Sequence, residues 1–363
     1  MKRLLELQKN LPYKTDDGSI VDCMLIFDDI NREYLTGLSN SNGFLVITKE
    51  EIYQLINFIY FEEASKLKIN TILLDDFDKC LSKIIKMHNI KQIMIESTKM
   101  TVSKLRNLEK LCQTLNTKIW SKNDLDRMLK YMRMIKSDDE IKKIKESQRL
   151  TDEAFSYILK RINNNSTEKE IALDLEMFMR KNGAQRIAFD LIVASGKNGS
   201  LPHASVSNKK INEGDLITID MGAVVDGYHS DMTRTVAYKS IDTKQKEVYD
   251  IVLKAQCNAI NEAHAGKTCR ELDLCARNII CEAGFEKCFG HATGHSLGLE
   301  IHEFPSISYK CKENIALLNN MIITIEPGIY IEEQFGIRIE DMIIINDKNP
   351  IDITKSTKEL LII

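Results

Sequence analysis

Residues 216–236 read LITIDMGAVVDGYHSDMTRTV. Two apolar arms flank Asp226-Gly227, a dipeptide that suits the positive φ angles of a tight hairpin turn. The stretch is therefore expected to fold as a hairpin. Asp220 ends the first arm, where a carboxylate among apolar neighbours is costly unless it is paired or bound to a cation. Asp231 lies on the second arm. The arrangement recurs near the end of the sequence, where ITIEPGIYI carries Glu326 and FGIRIEDM carries Glu340. Each hairpin follows a pair of helical patterns. The C-terminal part thus reads as two similar units, a distant internal duplication whose acids face each other across a pseudo-twofold axis.

The stretch GHATGHSLGLEIHE, residues 290–303, adds His295. Each acid taken singly is more often a salt-bridge partner. Together, at strand ends and beside one histidine, Asp220, Asp231, His295, Glu326 and Glu340 read as one metal site. Carboxylates held that close cannot all stay ionised without cations. A carboxylate-rich shell with a single nitrogen suits hard or borderline divalent metals. Two such ions about 3.5–4 Å apart activate water and stabilise a tetrahedral intermediate, so the expected chemistry is hydrolysis. In this reading Asp220 chelates one ion, Asp231 and Glu340 bridge both, and His295 and Glu326 complete the second. Glu326 also accepts a proton from the bridging water as it attacks.

Other histidines cluster in the same half. His203 follows the loop SGKNGSLP, and His302 follows the apolar run LGLEI. A lone loop histidine is usually solvent decoration. Beside a dimetal centre, both become candidates to donate hydrogen bonds to a developing oxyanion and leaving group. His291 reads equally as a structural residue, a partner of a ligand or a substrate contact. Arg338, two residues before Glu340, either orients a carboxylate or forms a surface ion pair. His88, His229 and His264 read as structural or exposed. SGKNG and HATGHSLG lack the strand–helix context or the lysine of a phosphate cradle.

The chain has 363 residues, room for two domains. The first third alternates short apolar runs with amphipathic stretches, which argues for a small α/β domain. Residues 23–27, 43–48, 70–75, 91–96 and 117–120 read as strands. Residues 50–67, 75–88 and 101–115 read as helices. The domain boundary is expected around 123–137, giving an N-terminal domain over 1–130 and a catalytic domain over 137–363. Ser137 with Glu140, and Thr167 with Glu170, are capping boxes that open helices. Gly183 suits the C-terminal cap of the second.

Composition excludes several classes. The 43% hydrophobic and 28% charged content is that of a soluble globular protein. A net charge of −3 offers no basic footprint for nucleic acid. No apolar run approaches the roughly 18 residues of a membrane span. Glu6 and Lys9 interrupt the N-terminal stretch, so no signal peptide is expected. Nine cysteines without a CxxC pair read as reduced, mostly buried thiols.

At the residues quoted above the sequence resembles the M24 metallopeptidases, the pita-bread family of methionine aminopeptidase, aminopeptidase P and prolidase. IDMG, SDMTRT, GHSLGLEIHE, TIEPGIY and RIED resemble the family's five ligand blocks in order and spacing, and the resemblance covers the whole chain. FDLIVASGKNGSLPHA resembles the loop with the family's substrate-contacting histidine, which places that role on His203; His302 matches a second such histidine. Tyr330 stands where proline-specific members often have a tyrosine, and Arg338 matches an arginine beside the last ligand. Residues 30–48, INREYLTGLSNSNGFLVIT, resemble the creatinase/prolidase N-terminal domain, which methionine aminopeptidases lack.

The resemblance implies an α/β (α+β) protein, a creatinase/prolidase-like domain followed by a pita-bread domain. It further implies two divalent ions, most often Mn2+ with Co2+ or Zn2+ as alternatives, short proline-containing peptides as substrates, and a cytoplasmic homodimer. The family's glycines are replaced by Ala292 and Ser296 beside His295, where extra atoms could narrow the pocket. After HE-x-P, many prolidases carry an arginine that clamps a dipeptide's carboxylate, and this chain has Ser306. A hydroxyl cannot form the bidentate pair that an arginine forms. The expectation is therefore an Xaa-Pro aminopeptidase working through a metal-bridging hydroxide, with an Xaa-Pro dipeptidase as the alternative. A metal-free creatinase or a non-catalytic pita-bread binding protein would be expected to lose ligands, and all five are present.

Overall fold

In the computed structural model, which describes residues 1–39 and 42–363, the apolar run CMLI forms the strand Cys23–Ile26, buried on both faces. It lies inside a six-stranded sheet ordered Asn70–Leu73, Ile52–Ile56, Gly43–Thr48, Cys23–Ile26, Gln92–Ile95, Lys118–Trp120. Gly43–Thr48 runs antiparallel to both of its neighbours, and the other pairings are parallel. The helices Phe77–Met87 and Val102–Thr114 bury Leu81, Ile84, Ile85, Leu108 and Cys112 in the core that includes Leu25, Val46 and Ile93. The chain divides into two units, Met1–Arg133 and Met134–Ile363, and this sheet is the centre of the first.

One expected helix is absent. Residues 50–67 form the strand Ile52–Ile56 and then a short helix, Phe58–Ala64. The β-branched and aromatic run IYQLI is buried at every position, which a one-sided helix could not achieve. Gln54 is tolerated there because its amide donates to Ala64 O and Thr71 Oγ1. Of the segment 30–48, the helix Asp29–Thr36 and the strand Gly43–Thr48 are seen, and Asn40 and Ser41 lie outside the described residues. The stretch expected to hold the boundary, 123–137, carries the helix Asp124–Met134.

In the second unit both expected capping boxes form, at the starts of Asp138–Ile158 and Glu168–Lys181. Thr243–Glu262 and Cys269–Glu282 are the next two helices. The first expected hairpin is split. Leu216–Met221 pairs with Met232–Ala237 in one sheet, while Ala223–Val225 pairs with Tyr228–His229 in another. The chain crosses between the sheets at Gly222 and Ser230. A Cβ on Gly222 would sit 2.1 Å from Ser230 O, so only glycine fits. The helix Asp138–Ile158 pins this break, with Ser147 Oγ donating to Ala223 O and Thr151 Oγ1 bonding to Ser230 Oγ.

The second hairpin is split in the same way. Ile322–Ile325 pairs with Asp341–Ile344, while Gly328–Ile331 pairs with Phe335–Arg338. Asp231, Glu326 and Glu340 therefore lie in the breaks rather than within strands, and Asp220 lies inside its strand, two residues before Gly222. All nine cysteines are free thiols; Cys23, Cys80, Cys112 and Cys269 are buried and the others half-buried. No helix among the described residues is long and apolar enough to cross a membrane.

A buried ion cluster joins the two halves of this unit. Arg234 Nη2 donates to Asp341 Oδ1 at 2.6 Å, and its other N–H groups donate to the carbonyls of Thr233, Glu340, Ser356 and Thr357. Asp341 Oδ2 accepts from Gln256 and pairs with Lys358. Burial alone would raise the Asp341 carboxyl; Arg234 and Lys358 outweigh it and hold it below its usual range. Asp341→Asn would leave the Arg234 guanidinium without an ionised partner. Removing one member of a buried pair costs about 3–5 kcal/mol, and urea denaturation should register a loss of that order.

Candidate active site

Asp231, His295 and Glu340 each offer a ligand atom, and these atoms lie within 4.8 Å of one another. His295 Nε2 stands 3.5 Å from Asp231 Oδ2 and 3.5 Å from Glu326 Oε1. That is long for a hydrogen bond. It matches the spacing of donors that share one cation at about 2.0–2.2 Å. The His295 Nδ1 atom faces its neighbour's carbonyl, Ser296 O, at 3.1 Å. A proton on Nδ1 leaves the Nε2 lone pair directed at the two carboxylates.

Asp220 Oδ2 accepts from Arg338 Nη2 at 2.7 Å, and Glu340 Oε2 accepts from Thr233 Oγ1 at 2.7 Å. The other oxygens, Asp220 Oδ1 and Glu340 Oε1, are buried and have no hydrogen-bond partner among the described residues. Orphaned buried carboxylate oxygens are expensive. Two of them in one acidic pocket are what divalent cations would satisfy, so the residues present fit the expected metals.

The electrostatics agree. Burial, then the charges of Glu340, Asp220 and Glu326, raises Asp231 well above the usual carboxylate range. Burial, with Glu326 and Asp220, does the same to Glu340. Glu326 is pushed up to about 8, chiefly by burial. His295 falls to about 4 through burial and the adjacent His302, and so stays a neutral donor of its lone pair.

All five expected ligands line one cavity of about 940 Å³, together with His203, His291, His302, Ser306, Tyr330 and Arg338. His203 and His302 are exposed to it, and the His302 ring stands edge-on to His295 with centroids 4.5 Å apart. Burial, then His203, lowers the pKa of His302. Arg338 is buried and donates to Asp220, to Tyr330 OH at 2.7 Å, to Thr233 Oγ1 and to Pro202 O beside His203. It orients a carboxylate, and the carboxylate is Asp220.

His291 belongs to the same chain of bonds, with Nε2 2.9 Å from Tyr330 OH. Its Nδ1 faces Ala292 O at 2.8 Å, so Nδ1 carries the proton and Nε2 accepts. Tyr330, its pKa raised to about 12 by burial, keeps the proton it donates to His291. His229 is buried away from the cavity against Gly298 O.

Ser296 does not narrow the pocket. It is buried off the cavity wall, where Oγ donates to Ile322 O and accepts from the buried Lys136. Ala292 and Ser306 do line the cavity, and Ser306 is exposed opposite His295 on the strand Glu303–Ile307. Sequence reasoning missed Thr233 and Thr324. Thr324 Oγ1 accepts from His295 N at 3.1 Å. Each lies on a strand two residues from an acid at the adjoining break, Thr233 from Asp231 and Thr324 from Glu326, and that spacing could have identified them.

Comparison with known proteins adds independent findings. Residues 142–347 match Metallopeptidase family M24, and residues 7–135 match the Creatinase/Prolidase N-terminal domain. An Xaa-Pro dipeptidase from Pyrococcus horikoshii is 38% identical over 350 residues, covering 95% of this chain and 96% of the relative. A solved Xaa-Pro dipeptidase from Bacillus anthracis superposes with a TM-score of 0.92 at 36% identity, covering 99% of this chain and all of that one. A solved X-Pro aminopeptidase from Thermotoga maritima superposes with a TM-score of 0.87 at 34% identity, covering 94% and 98%.

The raised acids make metal-free stability pH-dependent. Between the unfolded carboxyl pKa near 4 and their folded values, Asp231, Glu326 and Glu340 bind more protons folded than unfolded, so stability falls as pH rises. The lowered histidines work the other way, but only below their unfolded pKa of about 6.5. From about pH 6.5 to 8 the acids act alone. Melting curves of metal-stripped protein should show Tm dropping across that window, and added Mn2+ should remove the drop. A flat metal-free profile would mean the acids are not crowded as described.

Proposed function

Because the chain belongs to metallopeptidase family M24, we propose that it is an Xaa-Pro dipeptidase, hydrolysing the bond between an N-terminal residue and proline with two divalent cations. One observation carries the reading. Four carboxylates and one imidazole converge in a single cavity with two of their oxygens unpartnered among the described residues, beside two exposed histidines. The dipeptidase relatives at 36–38% identity over nearly the whole chain supply the substrate class.

Asp220, Asp231, His295, Glu326 and Glu340 would hold the cations, and their oxygen-rich set with one nitrogen suits manganese or cobalt, with zinc also accommodated. Bound cations would supply an activated water and polarise the scissile carbonyl. Glu326 takes the proton released by the attacking water at its carboxylate and returns it toward the proline nitrogen. His203 and His302 donate N–H groups to the carbonyl oxygen and the departing nitrogen. Arg338 fixes Asp220, and Tyr330 with His291 fixes Arg338 from the substrate side.

Ser306 favours a second reading, an Xaa-Pro aminopeptidase acting on longer peptides. It puts a neutral hydroxyl on the wall where a carboxylate clamp would stand, and the cavity is near the upper end of the roughly 300–1,000 Å³ range for small-ligand sites. The Thermotoga maritima relative belongs to that branch.

Enzyme stripped of metal and reloaded with Mn2+ should cleave Xaa-Pro faster than Xaa-Pro-Yaa. The reverse preference would establish the aminopeptidase reading, and Ser306→Arg should then shift preference toward dipeptides. Asp231→Asn and Glu340→Gln should each lose bound metal and at least about 10²-fold in kcat while circular dichroism stays unchanged. Full turnover in both would remove these residues from the site.

A further inference from the structure

We infer that Glu168 is a positioning residue for His203, a carboxylate that ties together both ends of the loop carrying this histidine. The inference rests on the role proposed above for His203. That side chain makes no hydrogen bond of its own among the described residues, so its place in the cavity is set by its backbone. The backbone in question runs from Ser195, where the strand Ile192–Ser195 ends, to Ser207.

Glu168 is the first residue of the helix Glu168–Lys181 and is fully buried. Its Oε1 accepts from Ser195 N at 2.7 Å, Ser195 Oγ at 2.8 Å and Asn198 Nδ2 at 3.0 Å. Its Oε2 accepts from Ser207 Oγ at 2.6 Å, Ser207 N at 3.2 Å and Asn198 Nδ2 at 3.1 Å. One oxygen thus grips the start of the loop and the other its end. Lys209 Nζ donates to Ser195 Oγ and pairs with Asp215, placing a positive charge one hydroxyl away from the buried carboxylate. The helix start is bonded past the loop as well, with Glu168 N donating to Lys209 O and Lys169 N to Ser207 O.

Between these anchors the loop rests on the strand Phe335–Arg338. A Cβ on Gly336 would lie 1.9 Å from Gly199 O, so the two backbones touch there. Arg338 Nη1 donates to Pro202 O, the carbonyl just before His203. The loop is therefore closed at its base by Glu168, seated at its middle on Gly336, and held near its tip by the same guanidinium that orients Asp220. Charge at a helix N-terminus would be satisfied by any acid there. Six hydrogen bonds, four to the loop ends Ser195 and Ser207 and two to Asn198 within it, are a more specific arrangement. A displacement of about 1 Å in a group that assists the transition state costs up to ~10²-fold in rate, which is why the base of the loop matters to a histidine at its tip.

A double-mutant cycle tests this. Glu168→Gln keeps the side chain's size but replaces one of the two acceptor oxygens by an NH2 donor, so one end of the loop loses its grip. On an Xaa-Pro dipeptide it should lower kcat by about tenfold or more with a much smaller change in KM. In a His203→Ala background the same substitution should cost less than about twofold, because nothing remains to be positioned. Ser207→Ala, which removes only one hydroxyl from the far end, should show the same pattern at smaller size and serves if Glu168→Gln does not fold. Equal losses in both backgrounds, or no loss in either, would overturn the inference. If the parent enzyme cleaves no Xaa-Pro peptide, the functional reading fails and hydrogen exchange decides the loop separately. Faster exchange over residues 196–206 in Glu168→Gln, with 216–221 unchanged, upholds the anchor, and an unchanged loop refutes it.

Discussion

Crowding of negative charge in one pocket is the constraint on which the rest of the catalytic unit depends. Asp220, Asp231, Glu326 and Glu340 share one cavity wall with a single guanidinium, Arg338. Burial and mutual repulsion push Asp231, Glu326 and Glu340 toward their protonated forms. Protein donors answer only part of the demand. Thr233 and Arg338 each satisfy one carboxylate oxygen, and two oxygens stay without a donor among the described residues. A fold that keeps such a site must fix the backbone that presents it, because unliganded acids would otherwise drift apart to relieve repulsion.

That fixing is done at the breaks between strands. In each half, a strand gives way to a short hairpin in another sheet and then resumes, and the acids occupy or adjoin the points of change. An acid inside a continuous ladder would be held at a strand's regular spacing. At a break it can turn toward the acids of the other half. The halves are locked beside these positions. Thr233 on the first half bonds Glu340 on the second, and Arg234 next to it bonds both Glu340 O and Asp341. The residues flanking the ligands thus carry the structural ion cluster, which separates the task of holding the backbone from the task of holding cations.

Much of this was legible in the sequence because it rests on local chemistry. Asp226-Gly227 marked the first turn, and Asp226 and Gly227 both take positive φ. The capping boxes at Ser137 and Thr167 marked helix starts that the structure contains. The acids were legible as a group because charged residues at the ends of apolar runs need a reason. What was not legible depends on contacts distant in sequence. Residues 50–67 pass for a helix until Gly43–Thr48 and Asn70–Leu73 flank them as strands. The split of each hairpin into two sheets has only small local marks, Gly222 in the first and Pro327 in the second. Ser296 looked like an intrusion on the pocket, but its hydroxyl turns to Ile322 O and Lys136, a lysine far earlier in the chain. The base of the His203 loop was equally hidden, since Glu168 reads as an ordinary first-turn acid beside the capping pair Thr167 and Glu170.

Arg338 shows how far one buried cation can organise such a site. Burial works against its charge, and Tyr330, Asp220 and Glu326 outweigh that penalty, so it stays ionised. Its donors are fully committed in direction. They reach Asp220 on the expected metal side, Tyr330 on the way to His291, and Pro202 O at the root of His203. A lysine could neutralise charge there, but its compact ammonium lacks the rigid planar fork that spreads the guanidinium's donors over separate positions. The guanidinium's plane couples the acid that would bind a cation to the loop that carries His203. The His203 loop and Asp220 are therefore bonded to one rigid group, which ties the geometry of the two sides of the pocket together.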